Sequence, residues 1–282
     1  MADFDDCSAT GSSEGSKGPG GIQRDTQEEV RDTVSGQESQ QLNLSSVQSA
    51  ANKIVTQEQT VTRSSLHQNG RNTVDEADTF TDPVHERRVL CFGDSLTAGF
   101  WSDGARFHPY AATLQELLCG VRVDHVGLSG WSTTQMVDSL DNDMCVDVCN
   151  RRWKGLRAQL ADHQYTHCVI LAGTNDLHTN SAQHILNNIL HLAHSASSFG
   201  CETFVLTIPE LGVEVLDPAV AAKRCNVNKH LLQLHGSPLA GGQTMSAIDI
   251  ASLLPPINHA TGNFDRIWEQ DRLHLRPVPR LP

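Results

Sequence analysis

From Arg88 onward the sequence predicts an α/β protein, a three-layer α/β/α sandwich built on a five-stranded parallel sheet. Three observations predict it. Apolar residues are only 38% of the 282-residue chain, enough for a packed core only where they are concentrated, and they are concentrated after Arg88. There, short apolar runs alternate with longer amphipathic stretches, the order that builds a parallel sheet covered by helices. Glycine-containing turns follow the first three runs, at Gly93, Gly127 and Gly173, along the carboxyl edge where such sheets collect ligands.

The first strand is expected at Val89–Phe92, ending in Gly93-Asp94-Ser95-Leu96, with a helix to follow near Pro109–Leu118. A second strand at Val121–Val126 ends in Gly127-Leu128-Ser129-Gly130 and leads to helices near Thr133–Leu140 and Arg152–His163. The third strand, Cys168–Ala172, ends in Gly173-Thr174-Asn175-Asp176. The helix near Ala182–Phe199 carries Ile185, Ile189, Leu192 and Ala196 on one face and His184, His191 and His194 on the other. Strands at Thr203–Thr207 and Ser246–Ile250, with a helix near Pro218–Leu234 between them, complete the pattern.

Residues 1–85 are rich in Ser, Gly, Gln, Thr and Asp with hardly an aromatic, so ordering them costs more conformational entropy than burial returns. This part is expected to be an acidic, disordered tail, with one folded domain over 86–282. Leu44, Val47, Ala51, Ile54 and Val55 have helical spacing within it, a segment that a protein partner could receive. The net charge of −12 is unevenly spread, with 14 acidic against 6 basic residues through His85 and 19 against 15 thereafter. Such a balance repels phosphate backbones, so nucleic acid is not an expected partner. The opening Met-Ala-Asp-Phe-Asp-Asp has neither a basic nor an apolar leader character, and no run reaches the eighteen or so apolar residues of a membrane span. A cytoplasmic protein with reduced thiols is the expectation.

Ser95 stands where a buried strand turns toward a helix, a position that presents its hydroxyl to a cleft. A serine nucleophile needs a base. Asp271-Arg272-Leu273-His274 offers an imidazole with a carboxylate three residues before it, able to fix its tautomer and stabilise its cation. Asp82-Pro83-Val84-His85 has the same spacing but precedes the first strand, whereas Asp271 and His274 follow the last, on the edge that carries Ser95. Gly130 can offer an unobstructed backbone N–H and Asn175 a side-chain amide, joining the N–H of Ser95 as oxyanion donors. Read singly, each of these segments is also ordinary turn chemistry.

As a set, the four segments resemble the SGNH hydrolases, also called GDSL esterases/lipases. The resemblance spans roughly Arg88 to His274. It implies Ser95 as nucleophile, Asp271 and His274 as the rest of a triad, and Ser95, Gly130 and Asn175 as the oxyanion hole. It also implies the flavodoxin-like strand order 2-1-3-4-5 and ester or thioester hydrolysis without metal or other cofactor. The chain departs from the family pattern at His125, where Asn is common. Pro277, Pro279 and Pro282 also make the usual terminal helix implausible.

The expected substrate is a small-molecule ester, with short acyl or O-acetyl groups favoured. The alternatives are a lipase or lysophospholipase acting on longer chains, and an inactive protein that uses the fold for binding or scaffolding. Trp101 and Trp131, just after the nucleophile and the second-segment glycine, are candidate walls of the substrate pocket. Asp94 and Asp176 are expected to brace their loops. No metal is implied: the three helix histidines read as solvated, and Cys145 with Cys149 has no second pair at ligand spacing. Gly-x-Ser-x-Gly does not occur, so an α/β-hydrolase elbow is unsupported.

Overall fold

A computed structural model describes residues 87–257 and 267–277. The expected tail, its amphipathic segment and the Asp82–His85 pair lie outside the described residues.

Numbered in chain order, the central sheet consists of β1 (Arg87–Gly93), β2 (Val121–Gly127), β3 (His167–Leu171), β4 (Glu202–Leu206) and β5 (Met245–Ile248). All neighbours are parallel and the order is β2-β1-β3-β4-β5, the order 2-1-3-4-5 that the resemblance implied. β1 is flanked on both sides, with Gly93 in register with Gly127 of β2 and Leu171 of β3. The glycine-ended turns therefore share one edge.

The helices are α1 (Ser95–Ala98), α2 (Tyr110–Leu117), α3 (Thr133–Asp138), α4 (Leu156–Asp162), α5 (Ala182–Ser198) and α6 (Pro218–Gln233). Alternation of side chains along a strand divides the core between the two faces of the sheet. Leu90 and Phe92 point into a cluster with Val126, Cys168, Ile170 and Val205. Met136 of α3, Leu156 and Leu160 of α4 and Ile185, Ile189 and Leu192 of α5 close that side, together with Val227 and Leu231 of α6. Val89 and Cys91 point the other way, with Val169, Leu171, Phe204 and Leu206, against Ala111 and Leu114 of α2. α5 begins where the Ser181 hydroxyl accepts the N–H of His184, and its apolar stripe recurs at three- and four-residue intervals.

The helix expected from Arg152 is shorter than the pattern suggested. Arg152–Trp153 pairs instead, antiparallel, with Cys145–Val146, and α4 starts only after Gly155. Gly155 is required there: a Cβ would lie 1.8 Å from the carbonyl oxygen of Ser139. A second small ribbon joins Phe100–Trp101 to Arg106–Phe107, directly after the serine turn. Among the described residues no helix is long and apolar enough to cross a membrane.

Candidate active site

The end of β1 is shaped by close packing. A Cβ on Gly93 would lie 2.0 Å from the Leu171 carbonyl oxygen and 2.4 Å from the Thr97 hydroxyl. Gly127 similarly lets β2 approach the backbone of Ala98. The four-residue helix α1 is thereby pressed onto the strand ends. Gly93→Ala is expected to destabilise the fold by about 3 kcal/mol, because a backbone oxygen must move. For a domain of this size that lowers Tm by about 6–12 °C, readable by far-UV circular dichroism.

Asp94 caps that helix, its Oδ1 accepting the N–H of Leu96 at 3.0 Å. Fully buried, its carboxyl is pushed up to about 6 by loss of solvation, which the hydrogen bond from Leu96 only partly offsets. Ser95 follows at the first helical position, so its N–H has no acceptor within its own helix.

His274 Nε2 lies 2.8 Å from Ser95 Oγ, and both residues are buried. On the far side of the ring, Nδ1 lies 2.6 Å from Asp271 Oδ2. The other carboxylate oxygen, Oδ1, accepts the N–H groups of Leu273 at 2.9 Å and His274 at 3.0 Å. Burial pulls the Asp271 carboxyl upward, but these hydrogen bonds and the imidazole outweigh it and hold the group down at about 2. A carboxylate on Nδ1 fixes the proton there and leaves the Nε2 lone pair facing the serine hydroxyl.

The turn that carries His274 is held from both sides. Arg272 takes a left-handed backbone, φ 54°, and its carbonyl accepts the N–H of Gly212 at 2.8 Å. Gly212 opens a short 3-10 helix, Gly212–Val215, in which the buried Glu214 receives two hydrogen bonds from Arg224, at 2.6 and 2.9 Å. The His274 carbonyl in turn accepts the N–H of Glu269.

The remaining residues of the expected set sit at the neighbouring strand ends. Gly130 has φ 76°, and its missing side chain makes room for Val148, whose γ carbons lie 2.7 and 2.8 Å from where a Cβ would stand. Asn175 donates one Nδ2 hydrogen to the Trp131 carbonyl at 3.0 Å, fixing the amide and leaving its second hydrogen for another acceptor. Asp176, fully buried, accepts the backbone N–H and the hydroxyl of Thr133 and the side chain of Asn180, each at 2.8 Å. It thus ties the third strand's turn to α3.

An aromatic residue that the sequence did not single out lies against the imidazole. Phe100 stacks on the His274 ring, centroids 4.3 Å apart and planes inclined by 35°. Its neighbour Trp101 lies under Arg106, and Trp131 donates its indole N–H to the Val146 carbonyl at 3.2 Å. In the sequence, two adjacent aromatics in a two-residue strand point to opposite sides, and nothing local says which side meets the imidazole. His125 meets the edge of Trp153, and burial lowers its pKa. His184 and Asn188 are hydrogen-bonded to the Thr134 hydroxyl. Among the described residues no group of three or more His, Cys, Asp or Glu is placed to hold a metal ion.

The sequence profile of the GDSL-like lipase/acylhydrolase family matches residues 91–277, more than half of the chain. The chain belongs to that family. Being a GDSL-like lipase/acylhydrolase, it is an ester-bond hydrolase at family level. No curated protein matches it. Among solved structures it is similar to a GDSL-like lipase from Bacteroides thetaiotaomicron, at 18% identity over 68% of this chain and 80% of that one, TM-score 0.43. It is also similar to the esterase EstA from a Pseudoalteromonas species, at 13% identity over 57% and 77%, TM-score 0.36. AlinE4, an SGNH-hydrolase family esterase, shares 17% identity over 69% and 88%, TM-score 0.40.

Proposed function

We propose that the chain hydrolyses carboxylic esters through an acyl-enzyme on Ser95, within a hydrolase domain spanning 86–282. The observation that carries this reading is the 2.8 Å approach of His274 Nε2 to Ser95 Oγ across 179 positions of sequence, in line with Asp271. Such an arrangement joins a nucleophile, a base and the group that orients the base.

In this reading, Ser95 Oγ attacks the ester carbonyl as His274 Nε2 takes its proton. The resulting oxyanion is held by the N–H groups of Ser95 and Gly130 and by the Asn175 amide. Collapse breaks the bond to the alkoxy oxygen, which leaves as the alcohol with the proton from Nε2. Water then attacks the acyl carbon, giving its proton to Nε2, and the bond to Oγ breaks as that proton returns to Ser95. Asp271 stays ionised throughout and stabilises the imidazolium.

Incubation with a fluorophosphonate and location of the adduct by mass spectrometry test the reading directly. The expected result is one adduct, on Ser95, together with turnover of p-nitrophenyl acetate. An unlabelled protein without turnover is the outcome the scaffolding alternative requires, and it removes the proposal.

A further inference from the structure

The hairpin that pairs Cys145–Val146 with Arg152–Trp153, closed by a turn in which the Asn150 N–H donates to the Asp147 carbonyl at 2.9 Å, has an unusual pattern of burial. Cys145 and Asp147 are buried, at 0% and 4% exposure, whereas Met144, Val146 and Val148 stand out at 57%, 45% and 75%. Three of the eight large apolar side chains exposed among the described residues therefore lie within five consecutive positions. Apolar residues scattered singly over a surface need no explanation, but a contiguous row marks a place where something apolar binds.

The buried side keeps the row in shape. Asp147 Oδ1 accepts the N–H groups of Cys149 at 3.0 Å and Arg151 at 2.8 Å. The Arg151 guanidinium lies over the Phe107 ring at 3.9 Å and the Trp153 ring at 4.5 Å. The inner end of the row is continuous with the site. The Val148 N–H donates to the Ser129 carbonyl at 3.2 Å, and its γ carbons occupy the space beside Gly130. Midway along, the Val146 carbonyl receives the Trp131 indole N–H.

We infer that Met144, Val146 and Val148 receive the acyl chain of the ester, and that acyl groups longer than acetyl are preferred. This rests on the reading of Ser95 as the acylated residue. The leaving alcohol must take its proton from His274 Nε2 and so departs on the imidazole side, against Phe100; the row adjoins Gly130, the oxyanion donor.

The test is kcat/KM for p-nitrophenyl esters from acetate to palmitate, a series with one leaving group, measured below the concentrations at which they aggregate. The expected rise is about two- to fourfold per methylene over the first carbons beyond acetate. In M144S/V148S the decanoate-to-acetate ratio is expected to fall about tenfold. Both side chains point to solvent, and fluorophosphonate labelling of the variant reports that the Ser95 site is intact. A wild-type series that is flat or falls from acetate overturns the inference. So does an unchanged ratio in a variant that still labels. Absence of labelling in the wild type strikes the Ser95 reading itself.

Discussion

Ser95→Ala is expected to lower kcat for p-nitrophenyl acetate by about 10⁵- to 10⁶-fold, and adding His274→Ala to it is expected to cost almost nothing more. The reason is that the two groups act as one. His274 has a role only because a hydroxyl lies 2.8 Å from its Nε2, and that hydroxyl is a weak nucleophile without the base. Once either is gone, what remains is the acceleration given by substrate binding and the oxyanion donors, about 10³- to 10⁴-fold over water. Loss of the hydroxyl removes one hydrogen bond, worth about 1 kcal/mol, so Tm should move by only a few degrees. Turnover and melting curves for the wild type, both single variants and the double variant complete the cycle. A Ser95→Ala protein within tenfold of wild type removes Ser95 from the chemistry. A further thousandfold loss in the double variant shows that the two residues act separately.

How much of this was legible in the sequence depends on how local each determinant is. The five strands were readable because β1 and β3 are apolar on successive residues, as strands covered on both faces must be, and because helical periodicity separates them. The strand ends carrying Ser95, Gly130 and Asn175 follow from that placement, since a residue just past a strand inherits the strand's position. Asp271 and His274 were legible for a different reason: the carboxylate and the ring are joined by a turn only three residues long, which Asp271 itself stabilises through Oδ1.

The rest is decided by contacts far apart in sequence. Arg152 and Trp153 continue the helical pattern of Leu156 and Leu160 on paper, but they are claimed by Cys145–Val146 across a ribbon two residues deep. A strand that short has no periodicity to read. The same holds for Phe100, whose position over His274 depends on its pairing with Phe107 and on the Arg151 stack beyond it. The apolar face of Met144, Val146 and Val148 was hidden for a related cause. Apolar residues in such a segment ordinarily face inward, and only the burial of Asp147, which accepts the N–H groups of Cys149 and Arg151, turns these three out.

Asp271→Asn is expected to reduce kcat by about 10⁴-fold while leaving the fold and KM nearly unchanged. The size follows from which oxygen is replaced. Oδ1 accepts two backbone N–H groups, so the introduced amide must keep its oxygen there and present its NH₂ to His274 Nδ1. Nδ1 then has to accept, and the ring proton moves to Nε2, where it points at Ser95 Oγ in place of the lone pair that should take the serine proton. ¹⁵N chemical shifts of the imidazole read the tautomer independently of activity. The wild-type carboxylate also sets a pH limit. Its pKa in the fold, about 2, lies below the ordinary value of 3.8, so its contribution to stability is complete above about pH 4 and is lost as pH falls through about 2. Any loss of wild-type activity on acidification above pH 4 therefore has another origin, and the loss in Asp271→Asn should persist undiminished at neutral pH. A variant with the exchanged tautomer and near-normal turnover separates proton placement from catalysis; one with the original tautomer and full activity shows that Asp271 does not orient the ring.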